Sequence, residues 1–110
     1  MTVMNKLNVV SMLDEPWSIV NHVFHLYVVG ESVNSILALR NLKDFCESHY
    51  PNNYQIQLID VLLSPEQAWN EGVTATPLLV RMLPNPKVKI MGNLSDTELL
   101  NNVLNNNHGK

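Results

Sequence analysis

Two serines and one cysteine are the residues of this chain that come closest to the pattern of a thiol redox site. Ser32 and Ser35 stand at the spacing of a redox CxxC pair, where a predicted strand gives way to a predicted helix. A helix start lowers the pKa of a cysteine placed there, but a serine hydroxyl cannot exchange with a disulfide. Cys46, the single cysteine, falls about three turns into the helix on its apolar side. We predict a structural Cys46, no thiol redox catalysis and a reducing compartment.

The histidines and acids form no catalytic or metal-binding pattern. His22 and His25 lie three apart on a predicted strand, so their side chains point to opposite faces. Asp60, Glu66 and Glu71 border a short predicted helix and are interpreted as scattered surface acids. The chain has no glycine-rich phosphate loop and no GxSxG motif. We expect no enzyme activity, no cofactor and no metal site.

The composition is typical of one globular domain with a slightly acidic balance. The chain has 110 residues, of which 45% are hydrophobic, and a formal net charge of −3. Its seven basic residues argue against a nucleic-acid-binding protein, which usually presents a strong basic patch. The apolar runs are shorter than the ~20 residues that cross a bilayer, and the first twenty residues do not resemble a secretory signal. The expected location is the cytoplasm.

Hydrophobic periodicity predicts an α/β domain over residues 21–104 with the element order β-α-β-α-β-β-α. Residues 1–20 are interpreted as an N-terminal extension and residues 105–110 as a loose tail. The first helix is predicted from Ser35 to His49, with Ile36 on its apolar stripe. The first three elements form a parallel, right-handed strand–helix–strand unit, and the two strands before the last helix form a hairpin.

Polar residues that can bond to free backbone amides predict the helix starts. The candidate caps are Asn34 or Ser35 for the first helix, a Ser64–Gln67 capping box for the second, and a Ser95–Glu98 capping box with a Leu94–Leu99 hydrophobic staple for the third. Pro65 suits the first helical position of the second helix, and Gly72 is expected to end it.

Pro77 stands at the head of the third predicted strand, in "GVTATPLLV". Proline is tolerated at the first position of a strand, at an edge, or as a cis residue in a tight turn. The element order resembles that of the thioredoxin-like fold, in which this position holds a cis-proline. We predict a cis Pro77, and an ordinary trans proline at an edge is the alternative.

Several blocks of the sequence together resemble the KaiB family, small partners of the KaiC clock ATPase. The blocks are "HLYVVGESVNSILALRNLKDF", "IQLIDVLLSPEQA" and "VTATPLLVRMLPNPKVKIMGNLSD". The likeness as a whole extends over residues 23 to 104. A KaiB-like sensor domain at the front of some clock-output histidine kinases is similar more loosely. The resemblance implies two folds of one sequence: a free oligomer, commonly a tetramer, with a rearranged second half, and a thioredoxin-like monomer that binds KaiC. It leaves the resting fold of residues 62–104 open.

The resemblance also implies which segments contact partners. They are the "ATP" turn, the third and fourth strands and the following "GNLSD", with Arg81, Lys89, Gly92, Asn93 and Asp96 as candidate partner-binding residues. Arg81 and Lys89 lie eight apart across a hairpin and are expected to share a face. The alternative interpretation is that they are solvated hairpin charges.

Five departures from the family pattern favour a divergent homologue that serves stress or metabolic adaptation. Val88 replaces a second arginine, Asn93 an aspartate and Val33 a proline; an extra segment, residues 1–20, precedes the first strand, and the acidic tail is missing. The first hypothesis is a non-catalytic regulatory protein that self-associates as a dimer or tetramer and binds a KaiC-type ATPase, in circadian or stress-adaptation signalling. The second is a stand-alone sensor module that docks on a histidine kinase.

Overall fold

The computed structural model describes residues 20 to 105, so nearly all of the predicted extension and tail lies outside it. Within this range the chain forms strands and helices in the order that periodicity predicts. They are β1 (His22–Val28), α1 (Val33–His49), β2 (Tyr54–Asp60), α2 (Pro65–Glu71), β3 (Leu78–Leu83), β4 (Val88–Met91) and α3 (Thr97–Asn105). The predicted order is confirmed.

The strands form one sheet in the order β2-β1-β3-β4. β1 and β2 are parallel, with His22 opposite Tyr54, and β3 is antiparallel to both β1 and β4. The predicted strand–helix–strand unit and hairpin are therefore present. The second half adopts the thioredoxin-like arrangement, and β2 and β4 are left at the two edges of the sheet.

Each face of the sheet packs against different helices. Phe24, Leu26 and Val28 of β1 join buried residues of α1 and α3 in the larger cluster. Tyr27, on the opposite face, joins Ala68 of α2 in the smaller cluster. Alternate residues of a strand point to opposite faces, and β1 has buried residues on both of them. Four of its seven residues are buried and the other three are partly buried.

α1 begins two residues earlier than predicted. Ser32 is its N-cap, and the Ser32 Oγ accepts a hydrogen bond from the Ser35 amide at 3.2 Å. The prediction of Asn34 or Ser35 as the cap is therefore wrong. Ile36 is 55% exposed, because the buried stripe of the helix lies on another side. That stripe consists of Ser35, Ala38, Leu42, Phe45 and Cys46.

α2 begins at Pro65 after Ser64 and ends at Gly72, as predicted, but the predicted capping box does not form. Gly72 has a φ of +79°, the left-handed conformation that suits glycine, and it ends the helix. Ser64 precedes Pro65, but the Ser64 side chain makes no capping hydrogen bond. Gln67 lies near Tyr27 of the sheet, and the two side chains line the same cavity. The predicted capping box is therefore wrong.

α3 is capped by Asp96, whose Oδ1 accepts a hydrogen bond from the Leu99 amide at 3.0 Å. The Ser95 amide donates to Asn93 Oδ1, so Ser95 belongs to the preceding turn and the predicted capping box is wrong. Leu94 has a φ of +64° and is buried, whereas Leu99 is 43% exposed. The predicted staple between them is also wrong.

The Thr76–Pro77 peptide bond is cis, so the trans alternative does not apply. The bonds Leu83–Pro84 and Asn85–Pro86 in the turn between β3 and β4 are also cis, which the sequence analysis did not anticipate.

Candidate protein-binding surface

The two serines at CxxC spacing hold the start of α1 in place. Ser32 Oγ donates to Ser35 Oγ at 2.8 Å, and the Ser35 Oγ accepts a hydrogen bond from the Val29 amide at 3.3 Å. These bonds join the end of β1 to the first turn of α1. A redox enzyme of this fold would present a thiolate at this position. This chain instead has two serine hydroxyls, which are hydrogen-bonded to each other and to neighbouring backbone amides.

Cys46 is fully buried on the core side of α1. Burial raises the pKa of its thiol to about 12, with a smaller contribution from Glu47. A thiol with so high a pKa and no access to solvent is neither a nucleophile nor a redox centre near neutral pH. The prediction of a structural Cys46 agrees with this placement.

The histidines lie on opposite faces of the sheet, as predicted. His22 stacks on Tyr50 with ring centroids 3.7 Å apart, and its Nδ1 lies 3.2 Å from the Asn53 carbonyl oxygen. His25 lies near Tyr27 on the other face, and burial lowers its pKa. Residues 20–105 contain no group of three His, Cys, Asp or Glu side chains that could hold a metal ion.

Asp60 and Glu71 are not the scattered surface acids that the sequence suggested. Asp60 Oδ2 accepts a hydrogen bond from the Gly30 amide at 3.1 Å, and its Oδ1 accepts one from the Leu62 amide at 2.9 Å. This carboxylate therefore joins the connection after β1 to the connection after β2. Glu71 is paired with two lysines, Lys87 and Lys89.

Arg81 is 1% exposed and lies on the face of the sheet that packs against α1 and α3. Its guanidinium donates to the Leu104 carbonyl at 3.3 Å and to the Pro86 carbonyl at 2.6 Å. Burial lowers its pKa, and the interaction with Tyr50 partly opposes that shift. The interpretation of Arg81 as a solvated charge is wrong, and in this fold its side chain is not available to a partner.

Lys89 lies on the other face of the hairpin, so the prediction that it shares a face with Arg81 is wrong. β3 and β4 pair Val80 with Lys89 and Arg81 with Val88, and neighbouring pairs in a ladder point to opposite faces. Lys89 Nζ donates to the Glu71 backbone carbonyl at 2.7 Å and lies 3.5 Å from Glu71 Oε2. Its side chain remains 42% exposed, so it is accessible to a partner.

The loop from Gly92 to Asp96 joins the Pro77 turn to α1. The Gly92 amide donates to the Pro77 carbonyl at 2.9 Å. The Asn41 side chain of α1 donates to the Asn93 carbonyl at 2.9 Å, and Asn93 Nδ2 approaches Asn34 Oδ1 at 3.4 Å. Gly92, Asn93 and Asp96 therefore lie together, with Met91 and Leu99 along one shallow groove.

An exposed apolar surface, which we call the α2 surface, was missed in the sequence analysis. It consists of Leu62, Leu63 and Trp69, whose side chains are 69%, 82% and 84% exposed. Ala68 is the buried residue of this short helix, and Trp69 follows it, turned about 100° around the helix axis. The sequence carried a usable signal, because a seven-residue helix can bury only one narrow face.

Among the helices of residues 20–105, none has both the length and the apolar character to cross a membrane.

Sequence comparison identifies a match to the KaiB domain over residues 25–106. The circadian clock oscillator protein KaiB of Nostoc punctiforme is 44% identical over 77 residues, which are 70% of this chain and 74% of that protein. The protein of the same name from Trichodesmium erythraeum is 43% identical over 77 residues, with the same coverage of both chains.

Solved structures share the fold at lower identity. The N-terminal domain of Synechococcus elongatus SasA matches with a TM-score of 0.67 and 21% identity, over 87% of this chain and 90% of that one. Chloroplastic thioredoxin z matches with a TM-score of 0.66 and 16% identity, over 81% of this chain and 80% of that one. These structures establish the thioredoxin-like fold, and the family match together with the identity to the KaiB proteins shows that the chain belongs to the KaiB family.

Proposed function

We propose that this protein is a non-catalytic regulator that acts in the cytoplasm by binding other proteins, with a KaiC-type ATPase as its principal partner. Its output would be circadian timing or stress adaptation. We infer that the free chain self-associates as a dimer or tetramer, and that partner binding releases a monomer with the fold described above. The family membership and the α2 surface support this proposal.

The serines, the cysteine and the two β1 histidines that are candidates for catalysis make structural contacts in this fold. Ser32 and Ser35 bond to each other and to the backbone, and Cys46 is buried with a raised pKa. His22 stacks on Tyr50, and His25 lies edge-on to Tyr27. This supports a role in binding rather than in catalysis.

The observation that carries the proposal is the exposure of Trp69. Tryptophan is enriched among the residues that dominate the energetics of protein interfaces, and exposed apolar clusters mark interaction sites. Leu62 and Leu63, in the connection just before α2, add aliphatic area from the same stretch of chain. An isolated domain gains nothing from leaving three such side chains in water, so we assign this surface to the partner.

The loop from Gly92 to Asp96 is proposed as a second contact region. The α2–β3 connection leads from the α2 surface to Pro77, and the Pro77 carbonyl bonds to the Gly92 amide. The polar groups of Asn93 and Asp96 and the exposed Lys89 would then supply specificity beside the apolar contact. Arg81 is assigned to the core and not to this interface.

The test is size-exclusion chromatography with light scattering on the protein alone and mixed with the KaiC-type ATPase of the same organism and nucleotide. We expect the native chain to leave its oligomer and co-elute with the ATPase. Trp69→Ala should weaken binding at least about tenfold, as expected for an interface tryptophan. Asn70→Ala, its exposed neighbour on α2, is the matched control and should bind like the native chain. An oligomer that ignores the ATPase contradicts the proposed partner.

The second candidate is a sensor module that docks on a histidine kinase. The structural match to the SasA N-terminal domain favours it, although at 21% identity that match concerns the fold alone. Co-elution with the kinase in the same chromatographic assay, and none with the ATPase, would establish this alternative.

A further inference from the structure

A groove lies beside the α2 surface, at the start of α2. Three segments form it: the connection after β1, the end of β2 and the first residues of α2, and its volume is about 520 Å³. Leu63, one of the three exposed side chains of the α2 surface, lines this groove. The buried Ile59 of β2 and the exposed Gln67 of α2 line it as well. The groove therefore continues the α2 surface toward the sheet.

Among the residues that the structure describes, two carboxylates and no cation line this groove, which we call the acidic groove. The carboxylates belong to Glu31 and Asp60. The hydrogen bond from the Gly30 amide to Asp60 Oδ2 holds them near each other, because Glu31 directly follows Gly30 in the chain. Within residues 20–105, both ion pairs involve Glu71, at the other end of α2. No lysine or arginine of this range therefore pairs with the carboxylates of the acidic groove.

The two carboxylates differ in what the fold uses them for. Asp60 accepts hydrogen bonds from two backbone amides and joins the connections after β1 and β2. Glu31 is exposed, and its side chain makes no hydrogen bond or ion pair with another residue of the described range. Its charge is therefore available to a partner, next to exposed apolar area.

We propose that the acidic groove takes a segment of the partner protein in which an arginine stands beside an aliphatic side chain. The aliphatic side chain packs on Leu63 and Ile59, and the guanidinium binds Glu31, with the charge of Asp60 adding to the attraction. Arginine suits the groove better than lysine, because its planar guanidinium has five donors and can also bond to the amide oxygen of Gln67. This inference rests on the proposed function, because it specifies what the partner presents beside the α2 surface.

The charge of the acidic groove argues against two other occupants. In a two-fold dimer the same patch meets itself, so the carboxylates of two copies would face each other and repel. A nucleic acid would bring its phosphates to the same carboxylates. A basic segment of a different protein avoids both repulsions.

The test that needs no partner protein is an NMR titration of the isotope-labelled chain with two synthetic peptides, acetyl-Leu-Arg-Leu-amide and acetyl-Leu-Glu-Leu-amide. At millimolar concentration the arginine peptide should shift the amide signals of Gly30, Glu31 and Leu63, and the glutamate peptide should leave them unchanged. Glu31→Gln should weaken binding of the arginine peptide about threefold, the size expected for an exposed ion pair. Asp44→Asn, which removes an exposed acid of α1, is the matched control and should bind like the native chain.

Equal shifts with both peptides, or no shift at these amides with either, would overturn the proposal. The affinity of the same variants for the KaiC-type ATPase with nucleotide, measured at low ionic strength, separates this inference from the proposed function. A chain that binds the arginine peptide but not the ATPase contradicts the proposed partner and supports the acidic groove. An ATPase that binds the native chain and Glu31→Gln equally contradicts the acidic groove and supports the proposed partner.

Discussion

Arg81 and Lys89 lie on paired strands of one hairpin and carry the same charge, but their environments are opposite. Arg81 is buried between the sheet and the end of α3, where two backbone carbonyls accept its hydrogen bonds. Lys89 lies on the face of the sheet that packs against α2, and it is partly exposed and held by Glu71 at the end of that helix. The two faces of this hairpin therefore differ: at Arg81 the hairpin closes the larger core cluster, and at Lys89 it leaves a charged side chain accessible to solvent.

The face of Arg81 should dominate stability. Arg81→Met removes the donor to the Leu104 and Pro86 carbonyls, and it loosens the contact between β3 and the last turn of α3. We expect the free energy of unfolding, measured by urea denaturation, to fall by about 3 kcal/mol, since each hydrogen bond to a charged group contributes about 1.5–3 kcal/mol. Lys43→Met, an exposed cation of α1, is the control. If Arg81→Met loses no more free energy of unfolding than Lys43→Met, the contrast between the buried and the exposed face of the hairpin is wrong.

The same face should make the protein sensitive to alkaline pH. Burial raises the pKa of Cys46 from 9.0 to about 12 and that of Tyr50 from 10.0 to about 12. The folded state holds these protons more tightly than the unfolded state does, so their stabilisation is complete below pH 9. It is lost as the pH rises through about 12. Urea denaturation at pH values from about 8 to about 11 should show this decline.

Cys46→Ala isolates the contribution of the thiol to that decline. The variant should lose less stability than the native chain over the same pH interval, because it lacks one of the shifted groups. Parallel curves for the two proteins would show that the buried thiol does not cause the decline.

The face of Lys89 should matter least for stability. Its ion pair with Glu71 is 42% exposed on the lysine side, so solvent screens it. We expect Lys89→Met to change the free energy of unfolding by about 0.5 kcal/mol, less in high salt. Lys87→Met, which removes the other lysine on Glu71, should behave alike. A loss comparable to that of Arg81→Met would contradict the assignment of this face to the surface.

Local patterns in the sequence predicted the elements but not the faces of the hairpin. Periodicity, Gly72 and Pro77 were sufficient for the element order and for the end of α2. The faces of Arg81 and Lys89 depend on strand register, and a shift of one residue reverses every side chain. The length of the turn after Leu83 sets that register, and the two prolines in this turn, Pro84 and Pro86, indicated no unique turn type.

The capping contacts of the helices and the α2 surface were missed for a related reason. Several polar residues stand near each predicted start, and tertiary contacts decide among them. Leu94 turns into the core, and α3 therefore begins after Asp96. Trp69 is typical of a core residue by type, yet α2 buries only Ala68 and leaves the Trp69 side chain exposed. Exposure of a large side chain is a property of packing, which one sequence does not specify.

The most direct test of the central claim is an NMR titration of the isotope-labelled chain with the KaiC-type ATPase and nucleotide. We predict that the amide signals of residues 62–72 and 92–96 shift or broaden most, and that the amides of Ile56 and Leu58 on the β2 edge change least. Changes concentrated on the β2 edge, with the α2 surface unaffected, would contradict the assignment of partner binding to the α2 surface.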